Sequence, residues 1–267
     1  MEVSVGQQLI EKIIKNDISS LLPDHITQTQ PPSDNVNKKL RISIHSPVSL
    51  NLYDAEGNHT GLLQNPNPNS DIRLFEENIP NSYYLEMGEG KYAGSDTATT
   101  THIVLKGQAI GAFTLEIEEV SGVATTETLR FNNIPITASS TITMDIQTIA
   151  SSTPLQVDIN GDGAIDFTLS SSSSVDSDTS LEILISVIQN MDIGNPFQKE
   201  LIKDIERIQK HLKKETKHDD EEDEDDEEKK DRKEILEGFL HFEKDVRKFV
   251  KKNALSRDDG ESLLQII

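Results

Sequence analysis

The spacing of the apolar residues changes near residue 175, and this change most restricts what the chain can fold into. Between residues 40 and 170 apolar residues recur at every second position, as in LRISIHSPVSLNLYD, where Leu40, Ile42 and Ile44 alternate with polar residues. Beyond residue 180 they recur at helical spacing instead. A period of two predicts half-buried strands, and a period of about 3.6 predicts amphipathic helices. The sequence therefore predicts an all-β part followed by an all-α part.

This pattern predicts a multi-domain chain in which an antiparallel β-sandwich is followed by a small helical bundle. Six to eight short strands with no helical pattern between them are typical of a sandwich or a small barrel. The predicted segments are an amphipathic helix over 1–20, interpreted as the remnant of a preceding domain, a linker over 21–39, the β-sandwich over 40–170, a Ser-rich linker over 171–180, and the helical bundle over 181–267 with an acidic loop over 215–230.

Charge and composition exclude several classes of partner. The formal net charge is −21, so the chain repels phosphate backbones and no nucleic-acid partner is expected. No run of apolar residues is long enough for a membrane span, and the first residues lack the basic start and apolar run of a signal peptide. The absence of cysteine removes disulfides and thiolate metal sites.

Ten consecutive acidic residues occupy positions 219–228. Such a block repels itself and buries nothing, so we expect a solvated loop or a frayed helix end. The alternative interpretation is weak calcium buffering or docking to a basic protein.

One short stretch has the spacing of a calcium loop. In VDINGDGAIDFTL the residues from Asp158 to Asp166 read D-x-N-x-D-G-x-x-D. Calcium takes six to eight oxygen ligands, and alternate side chains in such a loop can supply them to one centre. The predicted ligands are the side chains of Asp158, Asn160, Asp162 and Asp166 and the carbonyl of Ala164, with Gly163 at the sharp turn. We expect a structural Ca²⁺ there, which would neutralise the loop and hold the last hairpin together.

Two features of this stretch differ from a helix–loop–helix calcium hand. Its twelfth position is Leu169 rather than a bidentate Glu, and alternating apolar residues flank the loop, which indicates strands. The stretch resembles the hairpin-type loops of integrin-like repeats, whose ligands end at position nine. The alternative is a plain turn, because Asn-Gly and Asp-Gly favour tight hairpins by themselves.

No catalytic motif stands out in the sequence. None of the seven histidines forms a His-Glu-x-x-His motif or a paired metal spacing, and there is no G-x-S-x-G elbow or Walker motif. The sequence therefore predicts a protein that is not an enzyme.

Several stretches resemble a known group of proteins. RISIHSPVSLNLYDAEGNHTG, ENIPNSYYLEMGEGKYAG, HIVLKGQAIGAFTLEIEEV and FNNIPIT look like the β-rich region that follows the α/β-hydrolase domain in large bacterial lipase-like proteins of the GPI inositol-deacylase type. The strand pattern is also similar to bacterial pre-peptidase C-terminal β-sandwiches, and residues 180–267 resemble the small FIMAH-type helical bundle of secreted bacterial hydrolases. The catalytic Ser, Asp and His of such hydrolases lie upstream of this region, so none is carried over.

The resemblance implies a non-catalytic accessory or surface-type module that binds or positions something, such as an attached hydrolase domain or a cell-envelope component. It favours a secreted or cell-surface location, although the chain shows no signal peptide. Two alternatives stay open: a truncated C-terminal fragment of a secreted lipase-like hydrolase, and an acidic protein that uses residues 219–228 to bind cations or a basic protein.

Overall fold

A computed structural model describes residues 38–45, 47–63, 73–122, 124–170, 177–218 and 225–266. The chain divides into two units, Met1–Val36 and Asn37–Ile267, and every described residue belongs to the second. The helix predicted over 1–20, most of the linker over 21–39 and residues 171–176 lie outside the described residues.

The first part of the described chain is made of strands. In chain order they are β1 (Lys38–His45), β2 (Val48–Tyr53), β3 (His59–Leu63), β4 (Leu74–Glu77), β5 (Tyr83–Met87), β6 (Gly90–Asp96), β7 (Thr101–Gly107), β8 (Gly111–Ser121), β9 (Ala124–Ile136), β10 (Thr141–Ile146), β11 (Leu155–Asp158) and β12 (Phe167–Leu169). They form two antiparallel sheets, ordered β5-β6-β1-β8-β9 and β12-β11-β10-β7-β2-β3-β4.

Consecutive strands often belong to different sheets. The chain leaves one sheet after β1 and enters the other at β2, with Pro47 in the connection. It changes sheet again between Gly107 and Gly111 and between Ile136 and Thr141. Proline and glycine suit the first two of these points because they end a ladder of backbone hydrogen bonds or allow the backbone to bend sharply. Where the alternating pattern of apolar residues is interrupted at these points, the chain passes from one sheet to the other.

The two sheets share one apolar core. Leu40, Ile42 and Ile44 of β1 are almost fully buried, and so are Leu50 and Leu52 of β2 in the other sheet. Because successive side chains of a strand point to opposite faces, the period of two places all of these residues on inner faces. The alternation in the sequence thus fixes which face of each sheet is covered.

Four helices follow the sheets. They are α1 (Ser177–Gln189), α2 (Asn195–His218), α3 (Asp225–Lys251) and α4 (Arg257–Ile266). Their buried apolar residues form a second core that includes Leu201, Ile205, Phe242, Val246 and Leu263. The prediction of antiparallel strands followed by helices is confirmed at this level.

Helix α1 contributes to both cores. Ile183 and Val187 belong to the core of the sheets, whereas Leu184 and Ile188 belong to the core of the helices. The far end of α4 is tied to the same region, because the Asn133 side-chain amide donates a hydrogen bond to the Ile266 carbonyl at 2.9 Å. The helical part therefore packs directly on the sheets.

Two details differ from the sequence prediction. The described residues contain twelve strands rather than six to eight, because short polar or glycine-containing segments such as β3, β5 and β6 also join the ladders. Both ends of the acidic loop expected over 215–230 are helical, since α2 continues to His218 and α3 begins at Asp225; residues 219–224 lie outside the described residues. Lys and Glu are good helix formers, which helps both helices to extend.

None of the helices that the structure describes is both long and apolar enough to cross a membrane.

Candidate metal-binding loop

The predicted calcium loop lies at the tip of the last hairpin. Strand β11 pairs antiparallel with β12, with Leu155 opposite Leu169 and Val157 opposite Phe167. Leu155 and Val157 are fully buried, so the hairpin is held by the core of the sheets. The Asp166 N–H donates to the Val157 carbonyl at 2.9 Å and closes the base of the loop.

Asp158 is the organising side chain of the loop. It is only 4% exposed, and its two carboxylate oxygens accept backbone hydrogen bonds from Gly161 N–H at 2.7 Å and Gly163 N–H at 2.9 Å. Both carboxylate oxygens of Asp158 are therefore bonded to backbone amides of the loop.

The next two predicted ligands, at the surface, each accept one amide closer in sequence. Asn160 Oδ1 accepts from the Asp162 N–H at 2.9 Å, and Asp162 Oδ1 accepts from the Ala164 N–H at 2.8 Å. The Asn160 side-chain amide also donates to Asp162 Oδ2 at 3.1 Å. Side chains at alternate positions thus form successive turns in which each residue satisfies the amide two positions later.

Asp166 returns the chain to the beginning of the loop. Its Oδ2 accepts a hydrogen bond from the Ile159 N–H at 2.8 Å. Leu169, at the twelfth position, is buried in β12 and cannot reach the loop, so a ligand set for this hairpin ends at Asp166. Hydrogen bonds to backbone amides thus tie the predicted residues into one turn, but the carboxylates of Asp158, Asp162 and Asp166 are not among the described groups whose ligand atoms lie within 4.8 Å of one another.

The turn over residues 137–140 is hydrogen-bonded to the loop. The Ile159 carbonyl accepts hydrogen bonds from the Thr137 hydroxyl at 2.7 Å and the Ser140 hydroxyl at 2.9 Å. Gly161 has φ +75°, and a Cβ at this position would lie 2.5 Å from the Ser139 carbonyl oxygen. The loop is therefore attached to the connection between β9 and β10.

Of charged side chains, the loop itself carries acidic ones only. Residues 158–166 contain three aspartates and no Lys, Arg or His. Each ionised carboxylate offers about four acceptor sites, so the amide hydrogen bonds leave capacity for a cation. The arrangement can hold a hard ion through oxygen ligands, or it can remain a turn closed by amides alone.

The sequence reasoning missed a different cluster, which lies between two helices. Asp204 of α2 meets His241 and Asp245 of α3, and the ligand atoms of the three lie within 4.8 Å of one another. His241 and Asp245 are four residues apart and so share a helix face, which was a readable signal. Nothing in the sequence shows which residue of another helix lies opposite this pair.

Comparison with known proteins assigns no relationship: no family model, curated protein or solved structure matches this chain.

Proposed function

We propose that this chain is a non-catalytic accessory module in which a calcium ion at residues 158–166 stabilises a β-sandwich that is followed by a helical bundle. The shared core of the two sheets supports the sandwich, and the second core formed by the four helices supports the bundle. Its role would be to bind or position a partner, such as a hydrolase domain or a cell-envelope component. The proposal of a bacterial accessory region depends on the sequence resemblance described above.

The observation that supports calcium most directly is that hydrogen bonds already close the loop, although it carries three aspartates and no basic side chain. Asp158 is nearly buried and Asp166 closes the turn, while the loop contains no basic side chain. A divalent cation would remove the repulsion among three carboxylates and would be coordinated by oxygens alone, as calcium prefers. Extracellular calcium modules have dissociation constants of about 10⁻⁴–10⁻³ M, which fits a secreted or cell-surface location.

Thermal melting with and without calcium tests this proposal. At a free concentration of about 100 times Kd, binding to the folded state alone adds about 2.7 kcal/mol of stability. For a domain of this size, that corresponds to a rise in Tm of about 5–10 °C. Asp162→Ala should abolish the rise, because it removes one of the oxygen ligands.

Two control variants distinguish calcium binding at this loop from non-specific calcium binding by the acidic chain. Asp192→Ala removes the same charge from an exposed position outside the loop and should keep the full calcium effect. A deletion of residues 219–228 should keep it too, and loss of all calcium binding in that deletion would favour the acidic-run alternative. Equal melting of wild type and Asp162→Ala with and without calcium would show that the loop is only a turn.

A further inference from the structure

Helices α2 and α3 approach each other closely as an antiparallel pair. A Cβ at Gly238 of α3 would lie only 2.6 Å from Ile208 Cγ1 of α2, so glycine permits the contact. Charged pairs then bridge the helices at successive turns: Arg207 with Glu234 at 2.6 Å, His211 with Asp231 at 2.8 Å and Lys248 with Glu200 at 2.7 Å. Asp204, His241 and Asp245 occupy the turn between the first and the last of these pairs.

The two carboxylates of this turn are buried and incompletely bonded. Asp204 is 7% exposed and Asp245 is 3% exposed. In the described residues, Oδ2 of each is buried and has no hydrogen-bond partner. Burial raises the pKa of Asp204 against the opposing effect of His241, and Asp245 and Glu200 raise it further. Buried polar atoms in proteins are nearly always paired, so two orphan carboxylate oxygens at one place indicate a missing partner.

The distances from the His241 ring nitrogen to the two carboxylates match those between ligands of one metal ion. His241 Nδ1 lies 3.1 Å from Asp204 Oδ1 and 3.7 Å from Asp245 Oδ2. Two donors bound to one tetrahedral zinc at about 2.0–2.1 Å are about 3.3 Å apart, which lies between these two distances. The His241 side chain is half exposed, so an ion can enter from solvent and a water can complete its coordination.

Lys248 supports the same arrangement from outside. Its ammonium donates to Asp245 Oδ1 at 3.2 Å and to Glu200 Oε1 at 2.7 Å. This contact holds one oxygen of Asp245 and leaves Oδ2 turned toward His241. Such outer contacts commonly fix the orientation of metal-binding carboxylates.

We propose that Asp204, His241 and Asp245 form a site for a divalent transition-metal ion of the zinc type, which clamps α2 to α3. One imidazole with two carboxylates suits zinc and related ions better than calcium or magnesium, which prefer oxygen ligands alone. The site is independent of the loop at 158–166 and does not require the calcium proposal. With three protein ligands, the fourth position is left to water.

Calorimetric titration of the full chain with Zn²⁺ tests the site. Wild type should bind one tight equivalent, and His241→Ala should weaken that binding by about tenfold or more, since even the loss of an outer-shell partner costs about 10–100-fold. His102→Ala is the matched control, because His102 is a similarly exposed histidine that pairs with the single carboxylate of Asp145. Titration with Co²⁺ should give a visible absorption band in wild type and His102→Ala but not in His241→Ala.

Asp245→Asn provides a second arm that does not depend on the histidine. It keeps an oxygen that can accept from Lys248 but removes the carboxylate, so zinc should no longer raise its Tm above that of its own metal-free form. Asp162→Ala should keep full zinc binding. Equal zinc affinity in His241→Ala and wild type, or no tight binding by wild type, would overturn the proposal and leave the trio as an ion-pair cluster. Loss of zinc binding in Asp162→Ala alone would place the ion in the loop and overturn it as well.

Discussion

At the scale of single residues, two glycines of the candidate loop serve different purposes. Both have positive φ, +75° at Gly161 and +89° at Gly163. A Cβ at Gly161 would also collide with the Ser139 carbonyl oxygen, whereas one at Gly163 would meet nothing within 4 Å. Glycine is therefore needed at position 163 only for its positive φ. At position 161 it is also needed because the neighbouring turn leaves no room for a side chain.

This difference gives a matched pair of variants. We expect Gly163→Ala to cost about 1–2 kcal/mol of unfolding free energy, the usual penalty for a left-handed residue with a side chain. Gly161→Ala should cost about 2–4 kcal/mol, because a backbone contact must also shift. Urea unfolding of both variants measures the difference, and equal destabilisation would argue against the packing of Gly161 on Ser139.

A buried glutamate makes part of the stability depend on pH. Glu119 is 2% exposed, pairs with the Lys38 ammonium and accepts a hydrogen bond from the Ile149 N–H at 3.2 Å. The hydrogen bond from Lys38 lowers the pKa of Glu119 below its ordinary value. This contribution to stability is complete above the unfolded-state pKa of about 4.3, and it is lost as the pH falls through the lower folded-state value.

Glu119→Gln should therefore be less stable than wild type at neutral pH, and the gap should narrow as the pH falls through the lowered pKa. Unfolding free energies measured at pH 7 and at successive lower pH values provide the comparison. Glu127→Gln removes an exposed charge near the same lysine and should show little change at either pH. A gap for Glu119→Gln that does not vary with pH would point to altered packing instead of charge.

At this scale the sequence indicated all residues of the candidate loop, but only the His241 and Asp245 pair of the helix cluster. The positions of Asp158, Asn160, Asp162 and Asp166 could be read because a loop of consecutive residues brings them together by itself. What the spacing could not show is that backbone amides already occupy part of each side chain. Asp204 could not be assigned to the helix cluster, because its position opposite His241 is set by packing between helices.

At the scale of elements, the contact between α2 and α3 depends on one small residue. Gly238→Ala gains about 1 kcal/mol of helix propensity but forces a methyl group against Ile208, which costs about 1–3 kcal/mol. We expect a net loss of about 1 kcal/mol in chemical unfolding. Combination with Ile208→Ala should be less damaging than the sum of the two single changes, since the clash is removed. Additive losses would show that the two residues do not constrain each other.

The strands that were predicted and those that were missed differ in physical character. β1, β2, β7 and β8 have a large apolar residue at every second position that fills the core, so their period is visible in the sequence. β3, β5 and β6 carry glycine, exposed aromatic residues or few apolar residues. Their ladders depend on neighbours supplied by distant parts of the chain, which local patterns cannot reveal.

At the scale of the whole molecule, α1 couples the sheets to the other helices. Ile183 and Val187 face one core, and Leu184 and Ile188 face the other. The sequence indicated an apolar helix here, but its two-sided burial depends on how the sheets and the other helices are placed. Because α1 packs in both cores, a loss of packing in the core of the sheets should also destabilise the core of the helices.

Ile183→Ala should therefore weaken both halves together, by about 2–5 kcal/mol if the cavity does not collapse. All four tyrosines lie in β2, β5 and β6, so tyrosine fluorescence reports on the sheets, while far-UV circular dichroism reports mainly on the helices. The two denaturation curves should coincide in wild type and shift together in the variant. Separate midpoints in wild type would show that the sheets and helices unfold independently.

The pairing of β1 also has a consequence for how this protein is made. Ile44 pairs with Lys91 on one side and Leu115 on the other, so its partners leave the ribosome roughly 45 and 70 residues later. At about 5–20 residues per second, the earlier partner arrives about 2–10 s after β1 itself. During this interval the nascent chain carries an apolar segment with both edges unpaired, which is the kind of segment that chaperones bind during translation.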